Sequence, residues 1–275
     1  MDKETFLIEG FGDSRQVLSR LSELVIQTSA RNGLLKTIGD RQATEKTDGS
    51  LVTEADQAIE RRIRAELESK WPGMGFLGEE GGGNGSLWSG DLPFWCLDPL
   101  DGTTNFSRGL PFYAVSLALI HRGRPVLGVV YDPVRNECFS SAAGQGAWLN
   151  GVSIQVNPTD LSEAVAIVDF KRLPEGLSIN MVLDPPYRSQ RNLGSCALEW
   201  CWLASGRAQF CVHGGQQPWD MAAGYLTLME AGGSAQDLEG KDLILRSYKQ
   251  SVIAAASTSL LSEWRRWQQG CPGVI

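Results

Sequence analysis

The sequence contains few of the residues from which proteins build soft-metal or disulfide-bonded sites. Its 275 residues include only two histidines, His121 and His213, and its six cysteines form no C-x-x-C pair. Two histidines cannot make a histidine-rich transition-metal site, so any metal bound by this chain needs oxygen ligands. Scattered cysteines fit free thiols in a reducing compartment better than disulfides or structural zinc. These absences predict a cytoplasmic protein.

The chain also lacks long apolar runs and an excess of positive charge. Its first residues, 1–5, hold no apolar core of signal-peptide length, and no run approaches the length of a membrane span. The net charge of −7 argues against a nucleic-acid or membrane surface. An acidic protein that handles phosphate esters needs a metal ion or a local basic group, because its own field repels the substrate. We therefore expect no membrane and no nucleic-acid partner.

Two aspartates three residues apart are the most informative feature that is present. Asp98 and Asp101 belong to the run DPLDGTT at 98–104, directly after the apolar stretch 94–97. That stretch is typical of a short buried strand, which would place Asp98 at its carboxyl end, where open α/β sheets bind ligands. Pro99 fixes φ and would end the strand, so that both carboxylates turn toward one point.

The residues after the second aspartate favour a phosphate ligand. Gly102 allows close approach of the backbone, and its amide together with that of Thr103 could hold a phosphate. Carboxylates and bare amides in one turn are typical of a hard cation that holds a phosphoryl group. The alternative is an Asx-type turn, for which Asp-Pro and Asp-Gly are ordinary. The whole run, with two acids and two hydroxyls, favours a metal site.

Two further acidic positions accompany this run. Glu79 and Glu80 follow a glycine and precede a glycine-rich loop, a pattern that alone indicates a solvated acidic turn. Asp220 follows Trp219 and opens a predicted helix, where a carboxylate commonly does no more than complement the helix dipole. The same dipole helps to keep Asp220 ionised, as a metal ligand must be.

Helices and strands alternate along the chain. Asp13-Ser14 can cap the first helix, a second is capped by Thr53 with Asp56 in a capping-box position, and Ser259 caps the last. Other predicted helices lie at 197–204 and 220–230, and predicted strands lie at 76–77, 94–97, 115–120, 125–131, 137–141, 164–170, 209–213 and 251–256.

The organisation predicted is one catalytic domain, 1–275, made of two packed halves. A chain of this length with 42% hydrophobic residues can bury a sizeable core. The turn at 144–151 is the best internal boundary, which gives halves of about 1–148, α+β and metal-binding, and 149–275, α/β.

Four motifs together resemble the inositol monophosphatase family. Its first signature corresponds to WCLDPLDGTTNF at 95–106, and its second to WDMAAG at 219–224 followed by EAGG at 230–233. Two upstream motifs correspond to GEE at 78–80 and KTDGSLVTEAD at 46–56. The match runs in order from about Ser14 to the last helix, nearly the whole chain. It implies an α/β (α+β) fold, a layered α-β-α-β-α sandwich of the inositol monophosphatase and fructose-1,6-bisphosphatase type.

The resemblance implies a site for two or three Mg²⁺ ions. It selects the first glutamate of the GEE motif as a bridging ligand and leaves Glu80 as a further candidate. Mg²⁺ prefers oxygen ligands and keeps waters, one of which can become the nucleophile. The implied ligands are Glu79, Asp98, the carbonyl of Leu100, Asp101 and Asp220, with Asp98 shared between two ions.

The resemblance also implies catalytic roles. Asp56 and Thr103 would orient and deprotonate the attacking water, and Glu79 would act with them. Asp56 has a second interpretation as the capping-box partner of Thr53, and Thr103 as a hydroxyl that caps the next turn. Lys46 is either a solvated lysine or a positive charge near the phosphate.

The substrate end departs from the family pattern. Cys196 stands where alanine is usual, and it is interpreted as a small core residue without nucleophilic activation. His213 stands where inositol-specific members place a glutamate that binds ring hydroxyls, and Arg188 and Arg191 lie nearby in sequence as surface residues or as a site for a second anion. The substrate-binding candidates are Asp101, Gly102, Thr103, Cys196, His213 and Asp220, with Lys46, Glu80 and Arg191 as further candidates.

The residue at position 213 bears on the choice of substrate. A glutamate accepts hydrogen bonds from two hydroxyls, whereas a neutral imidazole offers one acceptor and one donor. A lone histidine is more often a satisfied structural residue. If His213 faces the substrate, we expect relaxed specificity, and we expect His213→Glu to shift preference toward inositol 1-phosphate.

The function predicted is that of a magnesium-dependent phosphoric monoester hydrolase. Its partner would be a small-molecule phosphate monoester, with inositol 1-phosphate first, and alternatively 3′-phosphoadenosine 5′-phosphate, fructose 1,6-bisphosphate or histidinol phosphate. Lithium sensitivity and a homodimer are implied by the resemblance. The alternative of another class is a metal-binding regulatory protein that keeps the fold without catalysis.

Overall fold

The computed structural model describes residues 13–30, 35, 43–45, 51–81, 85–246 and 248–271. Within these ranges no helix combines the length and the apolar character that crossing a membrane requires. The described helices are α1 Ser14–Ala30, α2 Glu54–Lys70, α3 Thr103–Arg108, α4 Glu175–Leu183, α5 Cys196–Ala204, α6 Pro218–Glu230 and α7 Thr258–Gly270.

The strands form two large sheets and one short ribbon. They are β1 Ala43–Glu45, β2 Leu51–Thr53, β3 Gly75–Gly78, β4 Phe94–Asp101, β5 Ala114–His121, β6 Arg124–Asp132, β7 Glu137–Ala142, β8 Gly146–Leu149, β9 Val152–Ser153, β10 Val165–Asp169, β11 Ser189–Arg191, β12 Phe210–Gln216, β13 Ser234–Gln236 and β14 Gln250–Ala255.

The first sheet has seven strands in the order β3-β4-β5-β6-β7-β8-β9, so that each strand pairs with its neighbour in sequence. Only the β3–β4 pair is parallel. The second sheet has five strands in the order β11-β10-β12-β14-β13. The pairs β11–β10 and β10–β12 are parallel, and β14 runs antiparallel to both of its neighbours.

Alternation of side chains along the strands gives each sheet two buried faces. One face of the first sheet packs on α1 and α2, and the other packs on α5 and α6, which also cover the inner face of the second sheet. The outer face of the second sheet packs on α4 and α7. In β10, for example, Ile167 points to the central helices while Ala166 and Val168 point to the outer ones. The predicted α-β-α-β-α sandwich is confirmed.

Local signals placed the two N-terminal helices correctly. Helix α1 begins at Ser14 and buries Val17 and Leu21. Helix α2 follows Thr53, whose capping box with Asp56 is present. The last helix differs from its prediction, because its cap is Ser257, whose hydroxyl accepts a hydrogen bond from the amide of Leu260. The prediction of Ser259 as the cap is therefore wrong by two residues.

The strand that carries the aspartate motif is longer than expected. Pairing of β4 with β5 continues past Pro99, from Asp98 opposite Ser116 to Asp101 opposite Ala114, with a shift of register between the two aspartates. The prediction that Pro99 ends the strand is wrong. Proline removes a ladder donor, and the irregular register accommodates that loss without ending the strand.

The predicted division of the chain at residue 148 stays a prediction. That residue lies within β8, which pairs with β7 and with the two-residue strand β9 at the edge of the first sheet. Elements without a prediction are the short ones, including α3, α4, β11 and β13.

Candidate functional site

The two aspartates of β4 are buried where the first sheet meets α5. Asp98 Oδ1 accepts a hydrogen bond from the amide of Leu100 at 3.0 Å, within the irregular part of β4. Asp101 reaches the other half of the molecule and binds the beginning of α5. Its oxygens accept from Ser195 Oγ at 2.6 Å, from the amide of Cys196 at 3.2 Å and from the amide of Ala197 at 2.7 Å.

Gly102 is required by this close junction. Its φ of +94° lies in the left-handed region, and a Cβ there would lie 3.0 Å from the carbonyl oxygen of Gly194 and 3.1 Å from that of Phe112. A side chain would therefore be both strained and in collision with backbone. The close contact that the structure shows at Gly102 is with the loop that precedes α5, and the predicted approach of this backbone to a ligand stays a prediction.

Glu79 joins the aspartates because β3 and β4 are parallel. Its amide donates to the carbonyl of Leu97 at 3.2 Å, which extends the pairing of the two strands by one residue. Parallel strands run toward the same edge of a sheet, so Glu79, directly after β3, lies beside the Leu97–Asp98 part of β4. The negative charge of Glu79 raises the pKa of each of the four aspartates of the site, Asp56, Asp98, Asp101 and Asp220.

Asp220 comes from the central layer of helices. It is the third residue of α6, and its Oδ2 accepts from the amide of Gln217 at 2.8 Å, which completes a capping box. Burial, and then the charge of Asp101, raise the pKa of Asp220 to about 8. The helix-cap interpretation and the acidic-site interpretation therefore both describe this residue.

Asp56 and Thr103 are brought together from α2 and α3. Asp56 Oδ2 accepts from the amide of Thr53 at 2.8 Å and from its hydroxyl, while Asp56 Oδ1 lies 3.3 Å from Thr103 Oγ1. The Thr103 hydroxyl also lies 3.0 Å from the carbonyl of Leu100. Burial raises the pKa of Asp56. The capping role and the predicted pairing with Thr103 coexist in one side chain.

The acidic cluster, defined as Asp56, Glu79, Asp98, Asp101 and Asp220, concentrates negative charge in a buried place. Burial first, and then the charges of Glu79, Asp101, Asp220 and Asp56, raise the pKa of Asp98 well above its usual range. Burial, opposed by its hydrogen bonds to Ser195 and the start of α5, raises the pKa of Asp101 to about 6. Such a cluster gains most from a bound cation, which would favour every ionised form.

The donors of the acidic cluster suit a hard divalent cation, since all of them are oxygens. As they stand, no three His, Cys, Asp or Glu side chains in the described parts of the chain form a group that could hold one ion. The fit to Mg²⁺ therefore lies in the chemistry and charge of the donors. Lys46, a further candidate, lies outside the described residues.

Two buried glutamates that the sequence did not identify support this cluster. Glu60 on α2 accepts from the amide of Glu80 at 3.0 Å and from the amide of Gly81, so it holds the turn that carries Glu79. Glu199 on α5 accepts from the amides of Leu193 and Gly194, and burial raises its pKa to about 8. Each lies on the inner face of a helix, where a charged residue is rarely expected, and that is the signal that could have found them.

His213 lies on β12, directly opposite Asp169 on β10. It is buried, with Nε2 at 3.2 Å from Asp169 Oδ2 and at 3.9 Å from Cys196 Sγ. Burial, and then the charge of Asp101, raise the pKa of the Cys196 thiol well above its usual range, which agrees with a cysteine that is not activated as a nucleophile. That His213 and Cys196 contact a substrate stays a prediction.

The two arginines named from the sequence are engaged elsewhere. Arg188 pairs with Glu163, and Arg191 donates to Ser189 Oγ and to the carbonyl of Gln190. Arg172 acts on the acidic cluster instead, since its charge opposes the rise in the pKa of Asp220 that burial and Asp101 cause. Sequence reasoning missed Arg172 because it is 41 residues before His213 and meets it only through the parallel pairing of β10 and β12.

Comparison with known proteins agrees with this arrangement. The sequence profile of the inositol monophosphatase family matches residues 16–270. Inositol monophosphatase 2 of Solanum lycopersicum is 40% identical over 218 residues, which cover 74% of this chain and 81% of that protein. Nus factor SuhB of Pasteurella multocida is 36% identical over 239 residues, which cover 84% and 87%. The solved structure of extragenic suppressor protein suhB from Bartonella henselae superposes with a TM-score of 0.81 at 31% identity, over 92% of this chain and 99% of that one. The chain belongs to the inositol monophosphatase family.

Proposed function

We propose that this inositol monophosphatase family protein is a magnesium-dependent phosphomonoesterase that acts on a small phosphorylated metabolite, with inositol 1-phosphate the first choice. Proteins of the family are phosphatases of this class. The observation that carries the proposal is the acidic cluster, in which Asp98 is buried among four other carboxylates with its pKa raised. Buried acids that repel one another are costly unless a cation or a catalytic use accompanies them.

The residues that would hold Mg²⁺ are Glu79, Asp98, the carbonyl of Leu100, Asp101 and Asp220, with Asp98 shared. When bound, the metal would supply an activated water and would stabilise charge on the attacking and leaving oxygens. The proposed set draws on two neighbouring strands of the first sheet and on helix α6, so its assembly depends on the packing of that helix against the sheet.

Asp56 and Thr103 are proposed to orient the attacking water. Asp56 is suited to accept a proton, because burial raises its pKa and Thr53 fixes its carboxylate through two hydrogen bonds. The Thr103 hydroxyl, between Asp56 Oδ1 and the carbonyl of Leu100, would hold the water in line with phosphorus.

The phosphate is proposed to lie on the amides of Gly102 and Thr103 at the start of α3. The left-handed conformation of Gly102 opens the turn there, and Lys46 would add a positive charge. Cys196 would contribute its side chain to the wall of the substrate pocket. Its amide is not free for a substrate, since it already donates to Asp101. A homodimer stays a prediction that sedimentation would measure.

The test is a phosphate-release screen with and without Mg²⁺. The substrates are inositol 1-phosphate, fructose 1,6-bisphosphate, 3′-phosphoadenosine 5′-phosphate and histidinol phosphate. We expect phosphate release that a chelator abolishes and that Mg²⁺ restores. We also expect lithium to inhibit the protein, by binding after the substrate has been turned over. Turnover that persists in protein stripped of metal would contradict the proposal, and a flat lithium curve to high millimolar would remove that part of it.

A second candidate is a role that does not need catalysis. It is favoured by the relatives that carry the name Nus factor SuhB, three of which are 36–38% identical to this chain. The same relatives leave the predicted absence of a nucleic-acid partner as a prediction only. The two roles can be distinguished by expressing Asp98→Asn in a strain that lacks the protein. If the role is catalytic, the variant should fail to restore it. If the role is non-catalytic, the variant should restore it.

A further inference from the structure

The histidine at the substrate end has no hydrogen-bonding capacity left for a ligand. His213 Nδ1 accepts from the amide of Gly215 at 3.0 Å, so this nitrogen carries no proton. In the neutral ring the proton then lies on Nε2, which donates to Asp169 Oδ2 at 3.2 Å. Both ring nitrogens are therefore used inside the protein, and His213 acts on its surroundings through Asp169.

Asp169 is likewise fully used. Its Oδ1 accepts from the amide of Lys171 at 3.1 Å, and its Oδ2 accepts from His213 and, at 2.7 Å, from Arg172 Nη1. The hydrogen bond from His213 first, and then the Arg172 guanidinium, hold the pKa of Asp169 at about 2. An ionised, fully bonded carboxylate is a fixed support, and the group that it supports is Arg172.

Of His213, Asp169 and Arg172, it is Arg172 that has N–H groups left to donate to a ligand. Its hydrogen bond within the described chain is made through Nη1, and its Nε and Nη2 protons have no acceptor among the described residues. The side chain is 52% exposed. A guanidinium held at one nitrogen by a carboxylate presents its remaining N–H groups in a rigid fork, which matches a carboxylate or a phosphate.

The backbone at Arg172 is fixed as firmly as its side chain. A Cβ on Gly214 would lie 1.5 Å from the Arg172 carbonyl oxygen, so the turn Phe170–Arg172 packs directly on β12. Only glycine permits this contact. The position is also close to the acidic cluster. Arg172 Nη1 lies 3.4 Å from His213 Nε2, which lies 3.9 Å from Cys196 Sγ, and the amide of Cys196 donates to Asp101.

We propose that Arg172, positioned by Asp169 and His213, is a specificity-determining residue that binds a second anionic group of the substrate, distal to the phosphate that is cleaved. This rests on the proposed phosphatase function and narrows its substrate class, because it places metabolites with two anionic groups ahead of inositol 1-phosphate, the first choice that the family resemblance suggests. In a chain with net charge −7 and an acidic site, an exposed guanidinium near that site favours such a substrate over the monophosphate of an uncharged polyol.

The experiment compares Arg172→Gln with wild type on fructose 1,6-bisphosphate, 3′-phosphoadenosine 5′-phosphate and inositol 1-phosphate. Loss of the charged fork is expected to raise KM for the better bis-anionic substrate about tenfold to a hundredfold. The value of kcat on that substrate, and both constants on inositol 1-phosphate, should change less than about threefold. Arg172→Lys keeps the charge without the fork and should fall between the two.

The matched control is Arg188→Gln. Arg188 is also an exposed arginine, 67% exposed, and is also paired with a carboxylate, that of Glu163. It should leave all constants unchanged. Circular dichroism melts of each variant check that it is folded, and added salt should raise KM of the wild type for the bis-anionic substrate only.

The outcomes are distinct. If Arg172→Gln is folded and weakens all three substrates equally, or none, the anion role of Arg172 is overturned while the phosphatase proposal stands. If the wild type releases phosphate from none of the substrates, the phosphatase proposal fails and this inference fails with it. If Arg172→Gln does not fold, Arg172→Lys decides by the same comparison of KM values.

Discussion

Aspartate side chains occupy two opposite electrostatic environments in this protein, one in the acidic cluster and the other at Asp169. Burial and neighbouring charges raise the pKa of Asp220 to about 8, whereas hydrogen bonds from His213 and Arg172 lower that of Asp169 to about 2. Asp220 lies beside the carboxylates of Asp101 and Glu79, whereas Asp169 lies beside the donors His213 and Arg172. Composition does not distinguish them; their neighbours do.

The two kinds of carboxylate obtain their compensating positive charge from different sources. Asp169 has an internal cation in Arg172, so it is a structural support whose charge is balanced within the protein. Asp98 lacks such a partner among the described residues, and the charges around it are all negative. A cation from solution is therefore the physical complement of the acidic cluster and is superfluous at Asp169.

The largest effect that would test this comparison is expected from Asp98→Asn. The change removes one charge from the centre of the acidic cluster, and we expect it to lower phosphate release about a thousandfold or more. It also removes repulsion, so the metal-free protein should melt no lower than the wild type. The measurement pairs a phosphate assay with thermal melts in chelator and in Mg²⁺. Asp160→Asn, on an exposed loop, is the control. Full turnover by Asp98→Asn would end the metal interpretation.

A smaller loss is expected when the support of Glu79 is removed. Glu60→Ala leaves the amides of Glu80 and Gly81 without their acceptor, and we expect the Mg²⁺ concentration for half-maximal activity to rise about tenfold to a hundredfold. Glu60→Gln should recover part of this, because its amide oxygen can accept one of the two bonds.

The control for this change is Glu66→Ala on the same helix, where the glutamate pairs with Lys70 at the surface. Mg²⁺ binding measured by calorimetry gives a readout independent of turnover. An unchanged Mg²⁺ requirement in folded Glu60→Ala would show that Glu60 supports the fold alone.

The dependence of stability on pH should differ in sign between the two regions. Asp101 and Asp220 have folded pKa values of about 6 and about 8, above the usual value, and one pKa unit corresponds to about 1.4 kcal/mol, so metal-free protein should lose several kcal/mol of stability as pH rises from about 4 to 8. Asp169, with its pKa of about 2, contributes stability above about pH 4 that is lost as pH falls through 2. Melts in chelator across this range test both, and saturating Mg²⁺ should flatten the first trend. A metal-free protein that becomes more stable from pH 5 to 8 would contradict it.

The smallest effect is expected at His213. His213→Gln should lower the free energy of unfolding by about 1–2 kcal/mol, because one of the two buried hydrogen bonds of the ring is lost. If the ring acts only through Asp169, KM for a bis-anionic substrate should follow the change modestly and kcat should not. Urea unfolding and steady-state kinetics measure the two quantities. A large change in kcat would instead place His213 against the substrate, as the substitution for glutamate in the family pattern predicts.

Local patterns were sufficient for most of the fold. The periodic burial of α1 and the capping box at Thr53 and Asp56 are determined within a few residues, and the structure contains both. The pattern failed where tertiary contacts override local chemistry. Pro99 would end an isolated strand, yet β4 continues because β5 supplies pairing on the far side of the irregular register. Short elements such as β11 carry too little pattern to be found.

The site divides in the same way. The residue types and spacing of the DPLDGTT run and of Trp219-Asp220 pointed to an acidic, oxygen-rich centre, and their roles as ligands remain predictions that the experiments above address. The residues that support this centre were identified only from the three-dimensional structure. Nothing near Glu60 in the chain indicates that it holds the turn of Glu79. Ser195 lies beside the candidate Cys196, but the sequence does not indicate that its hydroxyl binds Asp101.

The amino-acid sequence was sufficient to identify the layered fold of the inositol monophosphatase family and a set of acids near strand ends and helix starts. Such positions follow from local propensity, capping and motif. The tertiary structure alone decided which carboxylates repel and which are paired. Asp169 meets His213 and Arg172 only through parallel strand pairing, a contact between distant residues. Electrostatic interactions depend on distance in space and on burial, and neither is written in the spacing of residues along a chain.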